Sequence, residues 1–367
     1  MTGIEELSET MEQEDFDQIK ISKEQLTEAT KFSQNQLRAM VDMYYNLQKL
    51  RCGAANKKRA HDQQYDTLFD SILMDVMKDR LFEMELKTGK ILETYVKSKP
   101  LGQWALSITG LGAITVASLM GHIDFSSCCC EQYDGIPRKK RPKHNCPGLM
   151  YGSNIHSFAG LNPNQVWEKG QRRPWNARLK TTCWQIGESF KKAFSVKKTK
   201  MDDKQLRIAL YDAAKAKNKI LTEDQLNEKM IKEKKRLAKK VESIKGEEWF
   251  YVRLYHNRLI YENANNEAGK YKREAEKRLA LYKKVVKSAE DEKKYAEGKK
   301  ILMSGKLTPK AIEERSKRYA VKFFLSHYFD VGKSLLTGEP IERAVKPWII
   351  QHGGHSCYIP PPNFPMK

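Results

Sequence analysis

Four apolar side chains, Leu37, Met40, Tyr44 and Leu47, follow one another at intervals of 3, 4 and 3 residues. Such spacing returns a side chain to one face of an α-helix at every turn, the seam of a coiled coil or a helical hairpin. Upstream, Ser22 can accept a hydrogen bond from the backbone while Gln25 reaches back to it, a capping box that starts a helix. A second apolar run, Phe69, Ile72, Leu73, Val76, Met77, Leu81 and Met84, falls on one stripe. Between the two, "RCGAANKKRAHD" interrupts the apolar pattern with Gly53 and a basic cluster. The expectation is an antiparallel helical hairpin over residues 22–99, packed within the chain or serving as a dimerisation arm.

At Pro100 the character changes. "LGQWALSITGLGAITVASLMGHI" is small and apolar, with Gly110 and Gly112 on either side of Leu111. One helix ends, G-x-G turns with permissive dihedrals, and a second helix begins, the form of a helix-hairpin-helix. Backbone N–H groups at the second helix start can hold a phosphate, which makes Gly110 and Gly112 candidate nucleic-acid-binding positions. A buried hairpin without a ligand is the alternative. Residues 127–154 read as a loop insertion within the 100–195 segment. It carries Arg138, Lys139, Lys140, Arg141 and Lys143, together with Cys128, Cys129, Cys130, His144 and Cys146. Cys128, Cys130, His144 and Cys146 are the candidate zinc ligands. Three adjacent cysteines are not the C-x-x-C spacing of a tetrahedral site, and free thiols in a surface insertion are the alternative.

Residues 196–246 are Lys-rich and helical, with a capping box at Thr222 and Gln225. "NEKMIKEKKRLAKKVESIKG" has too few apolar positions to be buried all round, so this basic insertion faces solvent or a polyanion. The 247–367 region adds aromatic residues and a helix that starts with Thr308 as N-cap and Pro309 at its first position. Tyr319, Phe323, Phe324, His327 and Tyr328 are its expected buried face. The Pro-rich tail holds His352, His355 and Cys357 but no evident fourth ligand, and its Gly pair reads as a tight turn. No internal repeat is present.

The 367 residues include 67 Lys and Arg against 46 Asp and Glu, a net charge of +21. A surplus of that size points to a polyanion, because each neutralised phosphate releases counterions. The charge is uneven: residues 1–21 are expected to form an acidic disordered tail, with seven acids and one Lys among the first twenty. No apolar run reaches the roughly 18 residues that span a bilayer, and no basic-then-apolar leader opens the chain. The odd count of seven Cys is not a secreted disulfide framework. A cytoplasmic, nucleoid-associated protein is expected.

The stretch "FAGLNPNQVWEKGQRRPWNARLK" has two Trp, five Arg or Lys, two Gly and two Pro in 23 positions. Gly160 and Pro163 shape a turn, Gly170 leads to a helix starting near Asn176, and Arg172, Arg173, Arg178 and Lys180 cluster at that start. Trp167, Trp175 and Trp184 can brace the segment or stack on an exposed base. The alternative buries all three and leaves the cations to solvent.

The order of these segments resembles the C-terminal transposase domain of the Piv-related, bridge-RNA-guided insertion-sequence transposases. The resemblance runs from the arm "VDMYYNLQKLRCGAANKKRA" through "ITGLGAITVASLMGHI" and "FAGLNP" to a Gly followed by "RPWNARLK". It is closest over residues 35–192 and looser beyond, in "RYAVKFFLSHY" and "HGGHSCYIPPPN". It implies DNA transposition or recombination of a mobile element, with DNA, or a structured RNA, as partner and a homo-oligomer formed through the arm. Two features depart from the family. Its N-terminal ribonuclease-H-like domain, with four acidic metal-binding residues, has no counterpart before residue 22. The place of its nucleophilic Ser reads Asn164, Gln165, Val166 and Trp167, with no Ser between Ser157 and Ser189. A positioned hydroxyl is therefore missing. No cofactor is evident, and Mg²⁺ enters only if a partner supplies the acidic domain. A non-catalytic nucleic-acid-binding relative and an all-helical interaction module are the alternatives. The fold expected is mainly α: a helical arm, a helical domain containing the helix-hairpin-helix, and basic helical insertions.

Overall fold

A computed structural model describes residues 21–64, 68–125, 152–162, 165, 167–193, 203–215, 222–243, 246–285, 289–341 and 359–365. The protein is mainly helical, and the described residues contain no strand. Two compact units emerge, one of residues 1–103 and 116–122, the other of 104–115 and 123–367.

In the first unit, α1 (Lys23–Ala29) opens with the expected box, Gln25 N–H donating to Ser22 Oγ at 3.2 Å and Ser22 N–H to Gln25 Oε1 at 2.9 Å. A second box from Ser33 and Gln36, with bonds of 2.8 and 3.3 Å, restarts the chain as α2 (Gln34–Gln64). The long helix continues through Gly53, so the basic cluster lies on its last turns rather than in a connection. A single helical Gly costs only about 1 kcal/mol relative to Ala, too little to end a helix with a buried face. α3 (Leu68–Ser98) returns antiparallel, in a register set by Arg51 with Glu85 and Lys58 with Asp75.

The seam differs from the expected one in detail. Leu37, Val41 and Leu47 are buried in α2, with Val41 taking the place read for Met40. From α3 the buried set is Glu85, Thr88, Leu92, Tyr95 and Val96. Val76, Met77 and Met84 of the expected stripe are exposed, Leu81 is half-buried, and the side chains of Phe69, Ile72 and Leu73 lie outside the described residues. The polar seam accounts for this. Arg51 Nε donates to Glu85 at 2.6 Å and Gln48 Nε2 at 3.2 Å, turning the Glu85 face of α3 inward. Burial raises the Glu85 carboxyl, but those bonds outweigh it and hold the group below the usual carboxylate range.

The second unit is built around α13 (Pro309–Thr337), capped by Thr308, entered through Pro309 and ended by Gly338 at φ 71°. Its buried positions, from Ala311 to Ser334, cover most of its circumference. α6 (Gly152–Phe158), α7 (Ala177–Ala193) and α10 (Phe250–Glu267) lie against it. Trp104 stacks on Phe324 with ring centroids 6.1 Å apart and donates Nε1–H to Pro362 O at 2.8 Å. His327 accepts from Tyr251 OH at 2.7 Å and donates Nε2–H to Ile359 O at 2.8 Å. Burial lowers its pKa to about 4, so the imidazole is neutral near pH 7. Of the face expected on this helix, Phe324, His327 and Tyr328 are buried, Phe323 is half-buried, and Tyr319 is exposed beneath the Arg258 guanidinium.

Two helix pairs complete this unit. α8 (Asp203–Lys215) and α9 (Glu223–Ser243) pair through Arg207 and Glu223, with the Thr222–Gln225 box at the start of α9. α11 (Lys272–Val285) and α12 (Ala289–Met303) pair over a small core of Ala275, Leu302, Leu307, Ala311 and Ile312. The buried Asn266 amide closes this corner. It accepts from Leu307 N–H at 2.8 Å and donates to Leu307 O at 3.0 Å.

The G-x-G segment connects α4 (Pro100–Leu106) and α5 (Ala113–His122). Gly110 has φ +97°, and a Cβ there would lie 3.1 Å from the Phe190 ring. At Gly112 a Cβ would meet nothing. Two donors of the turn are satisfied inside the protein: Thr109 N–H by Glu248 O at 2.8 Å and Leu111 N–H by Ile108 O at 3.2 Å. The two glycines therefore part company. Gly110→Val should lower stability, by about 1–2 kcal/mol from the backbone conformation alone, and the melting temperature with it. Gly112→Ala should leave it unchanged or raise stability by up to about 1 kcal/mol. Thermal denaturation of the two variants checks this.

Candidate nucleic-acid interface

The stretch from Phe158 to Lys180 forms a loop whose ends meet. α6 stops in a Schellman arrangement, with Gly160 N–H on Ser157 O at 3.1 Å and Leu161 N–H on His156 O at 2.9 Å. Gly160 provides the left-handed residue, φ +66°. At the other end, Asn176 N–H donates to Phe158 O at 2.9 Å, and Asn176 Oδ1 accepts from Leu179 N–H at 3.0 Å, capping α7. A Cβ on Gly160 would lie 2.8 Å from Trp175 Cγ and 3.0 Å from Lys180 Cδ. The turn is thus pressed directly against the start of α7.

Every tryptophan of this stretch carries a cation on its face. Arg173 lies 5.0 Å over the Trp167 ring, whose Nε1–H is held by Gln171 O at 2.7 Å. Lys180 Nζ lies 4.1 Å over Trp175. Trp184, one turn along α7 from Lys180, is 55% exposed, with Lys317 Nζ 5.9 Å from its ring. The alternative that buries all three tryptophans does not describe these residues. Trp167 and Trp175 are half-buried, whereas Cys183, Ile186 and Phe190 of α7 form core with α13. Arg172, Arg173 and Lys180 are exposed and Arg178 is half-buried.

α13 adds cations that the sequence reading missed. His156, at the end of α6, places Nε2 2.9 Å from Lys322 O and 3.2 Å from Ser326 Oγ, fixing α13 beside the Gly160 turn. Burial lowers the His156 pKa to about 4, leaving a neutral anchor near pH 7. Partial burial, then the charges of Arg173 and Arg318, push Lys180 below its usual range. Partial burial and Arg318 do the same to Lys322. Arg318 is itself lowered, by partial burial and by Arg278 and Arg315, against the opposing charges of Glu314 and Glu274. Lys180 thus lies near Arg173 and Arg318, and Lys322 near Arg318, so cations of the loop, α7 and α13 share one region of the surface, with Glu314 and Glu274 near Arg318. The signal in the sequence was the i, i+4 spacing of Arg318 and Lys322, hidden among the aromatic residues of the same helix.

Neighbouring charges are neutralised instead. Arg315 reaches Glu262 at 3.0 Å and Glu274 at 2.7 Å, and Arg258 reaches Glu262 at 2.6 Å. Glu188, Glu313 and Glu314 converge within ligand distance of one another, but the buried Lys317 ammonium already sits among them. Burial opposes the charge on Lys317, yet Glu188 and Glu314 hold its pKa well above the ordinary value. An internal cation thus occupies the place that a metal ion would take. Arg138, Lys139, Lys140, Arg141 and the zinc candidates Cys128, Cys130, His144 and Cys146 lie outside the described residues, as do His352, His355 and Cys357.

The Gly160 contact gives a direct test. Gly160→Ala should displace Trp175 and Lys180 and lower stability, by at least the roughly 1–2 kcal/mol of its left-handed backbone. Arg172→Ala should stay within about 0.5 kcal/mol of the parent protein. Melting curves, with near-ultraviolet circular dichroism to follow the tryptophans, distinguish the two outcomes. In comparisons with known proteins, no family model, curated protein or solved structure matches this chain.

Proposed function

We propose that this chain is a transposase-like DNA-binding protein of a mobile element, acting in transposition or recombination, and that the Arg173–Lys180–Arg318–Lys322 patch is its nucleic-acid surface. The observation that carries binding is the patch itself. Cations that repel one another beside aromatic faces gain most from a polyanion with bases to stack. The excess of 67 basic over 46 acidic residues points the same way. Recombination rests on the resemblance in motif order alone. A non-catalytic nucleic-acid-binding role is the second reading, favoured by Val166 and its neighbours where the family places a Ser. Under the first reading, Mg²⁺-dependent cleavage belongs to an acidic domain on a partner, and the protein works at the nucleoid. Among the described residues, no helix is long and apolar enough to cross a membrane.

Binding to a labelled DNA duplex, and to a structured RNA of the same length, should weaken steeply as salt rises. Replacing Arg172 and Arg173 together by Ala should flatten the logarithmic salt slope by close to one for every phosphate that is no longer neutralised. Affinity indifferent to salt removes the binding reading. Nicking or strand exchange in Mg²⁺ separates the recombinase from the non-catalytic relative.

The arm supports a second association. The Arg51–Glu85 and Lys58–Asp75 pairs place Leu50 level with Leu86 across the hairpin, and Met43, Leu50, Phe82 and Leu86 are all exposed. Our reading is that this apolar face meets the same face of a second copy, as an isologous contact requires. Leu50→Glu combined with Leu86→Glu should shift the protein from dimer to monomer in sedimentation without unfolding the hairpin. A parent protein that stays monomeric at high concentration rejects the association.

A further inference from the structure

The segment 359–365 lies on the second unit as a peptide lies on a receptor. It belongs to no helix. After Ile359, the three prolines at 360, 361 and 362 have no N–H to donate, and their fixed φ holds them extended before any contact forms. Pro361 and Pro362 are buried, whereas Ile359, Pro360 and Pro365 are exposed. The groove satisfies the segment's polar groups one by one. His327 Nε2–H donates to Ile359 O and Trp104 Nε1–H to Pro362 O, each at 2.8 Å. Glu247, just ahead of α10, accepts from Asn363 N–H at 2.9 Å. The Asn363 amide donates to Ser107 Oγ, just past α4, at 3.0 Å. Asn363 has φ 57°, a left-handed backbone that Asn adopts more readily than most residues.

The groove therefore reads three backbone groups and one side chain of an extended, proline-rich segment. Recognition of such segments generally combines an aromatic wall with a few directional bonds, and little conformational freedom is lost on docking. Both aromatic donors are set by the core rather than by the tail. Trp104 is wholly buried and stacks on Phe324, and His327 is held from its other nitrogen by Tyr251. None of these bonds requires the tail to belong to the same molecule. Residues 342–358 separate the docked segment from the end of the α13 region, and a chain of that length spans at most about 60 Å. Exchange of an identical element between copies costs little, because every contact made in cis recurs in trans.

We propose that the groove of Trp104, Ser107, Glu247 and His327 is a docking site for the proline-rich tail of a second copy of this chain, with residues 359–365 of the same chain as its resident occupant. The occupant is identified by the segment already seated there, since a second copy carries the same prolines and the same Asn363. In a lone molecule the tethered tail holds the groove at an effective concentration of about millimolar. Where copies are gathered together, tails exchange and link them. This contact is independent of both the nucleic-acid surface and the apolar face of the arm.

The test uses the full chain and a labelled synthetic peptide of residues 359–367. Asn363→Pro removes the N–H, the amide and the left-handed backbone of the tail together, and leaves the groove residues unchanged. In fluorescence anisotropy this variant should bind the peptide about tenfold more tightly than the parent, whose own tail competes. Adding Ser107→Ala and Glu247→Ala should lower that affinity by about tenfold, the scale of the polar bonds removed. Exchange is read by mixing an Asn363→Pro chain, with an open groove, and a Ser107→Ala, Glu247→Ala chain, with a loose tail. Both carry Leu50→Glu and Leu86→Glu, so the arm face cannot join them. Sedimentation should show a one-to-one complex in the mixture and monomer in either chain alone. Melting curves confirm folding, and an Asn363→Pro chain that fails to fold is replaced by Asn363→Ala. Peptide affinity that is equal in the parent and the tail variant, or indifferent to the groove changes, overturns the docking site. Peptide binding with a mixture that stays monomeric overturns the contact between copies, and the proposal with it.

Discussion

The buried Lys317 ammonium and the three carboxylates around it hold α7 against α13. Glu188 comes from α7, Glu313 and Glu314 from α13, and Lys191 adds a second tie to Glu313 at 2.8 Å. The arrangement fixes geometry more than it stabilises. Desolvation of a buried ion pair offsets much of its Coulomb energy, whereas removing one partner costs about 3–5 kcal/mol. An apolar contact can slide, but an ammonium shared among three acceptors allows one register. That register brings Trp184 of α7 against Lys317 and Lys180 near Arg318 of α13.

A second polar group plays a matching part lower in the core. Neutral His327 links Tyr251 of α10 to the backbone at Ile359, and Trp104 reaches the same tail segment at Pro362. Each bond satisfies a group that is costly to bury alone. The aromatic residues supply the buried area, while these few directional bonds decide where the 359–365 segment lies. The Glu262 network does the same between α10 and α13, with Tyr271 and Arg315 sharing its carboxylate. Both units thus combine apolar bulk with sparse polar pins.

Local signals in the sequence are legible where they act locally. The boxes at Ser22 and Thr222, the Thr308–Pro309 start and the helix beginning at Asn176 all depend on neighbours within four residues. The Ser33–Gln36 box has the same signature and splits α1 from α2. Gly53 misleads, because its weak local penalty is overridden by the buried face of the helix around it. The stripe of Val76, Met77 and Met84 misleads for a related reason: apolar periodicity gives a face, but Arg51 chooses which face of α3 turns inward. Half of the candidate site is legible, from Gly160 to Lys180. The other half, Arg318 and Lys322, reads locally as part of a core helix, and only tertiary packing reveals where those charges arrive.

The union of α7 with α13 also has a consequence for timing. During synthesis the Gly160 turn, its tryptophans and Lys180 emerge well before residues 318–322, and domains complete themselves only when their distant parts are present. Contacts separated this far along a chain form late, because loop closure must come first. A nascent chain therefore displays the loop's own cations but lacks Arg318 and Lys322. If the patch is the nucleic-acid surface proposed above, engagement of a polyanion waits until α13 has docked, and the incomplete protein is spared capture by the nucleic acid that surrounds its own translation.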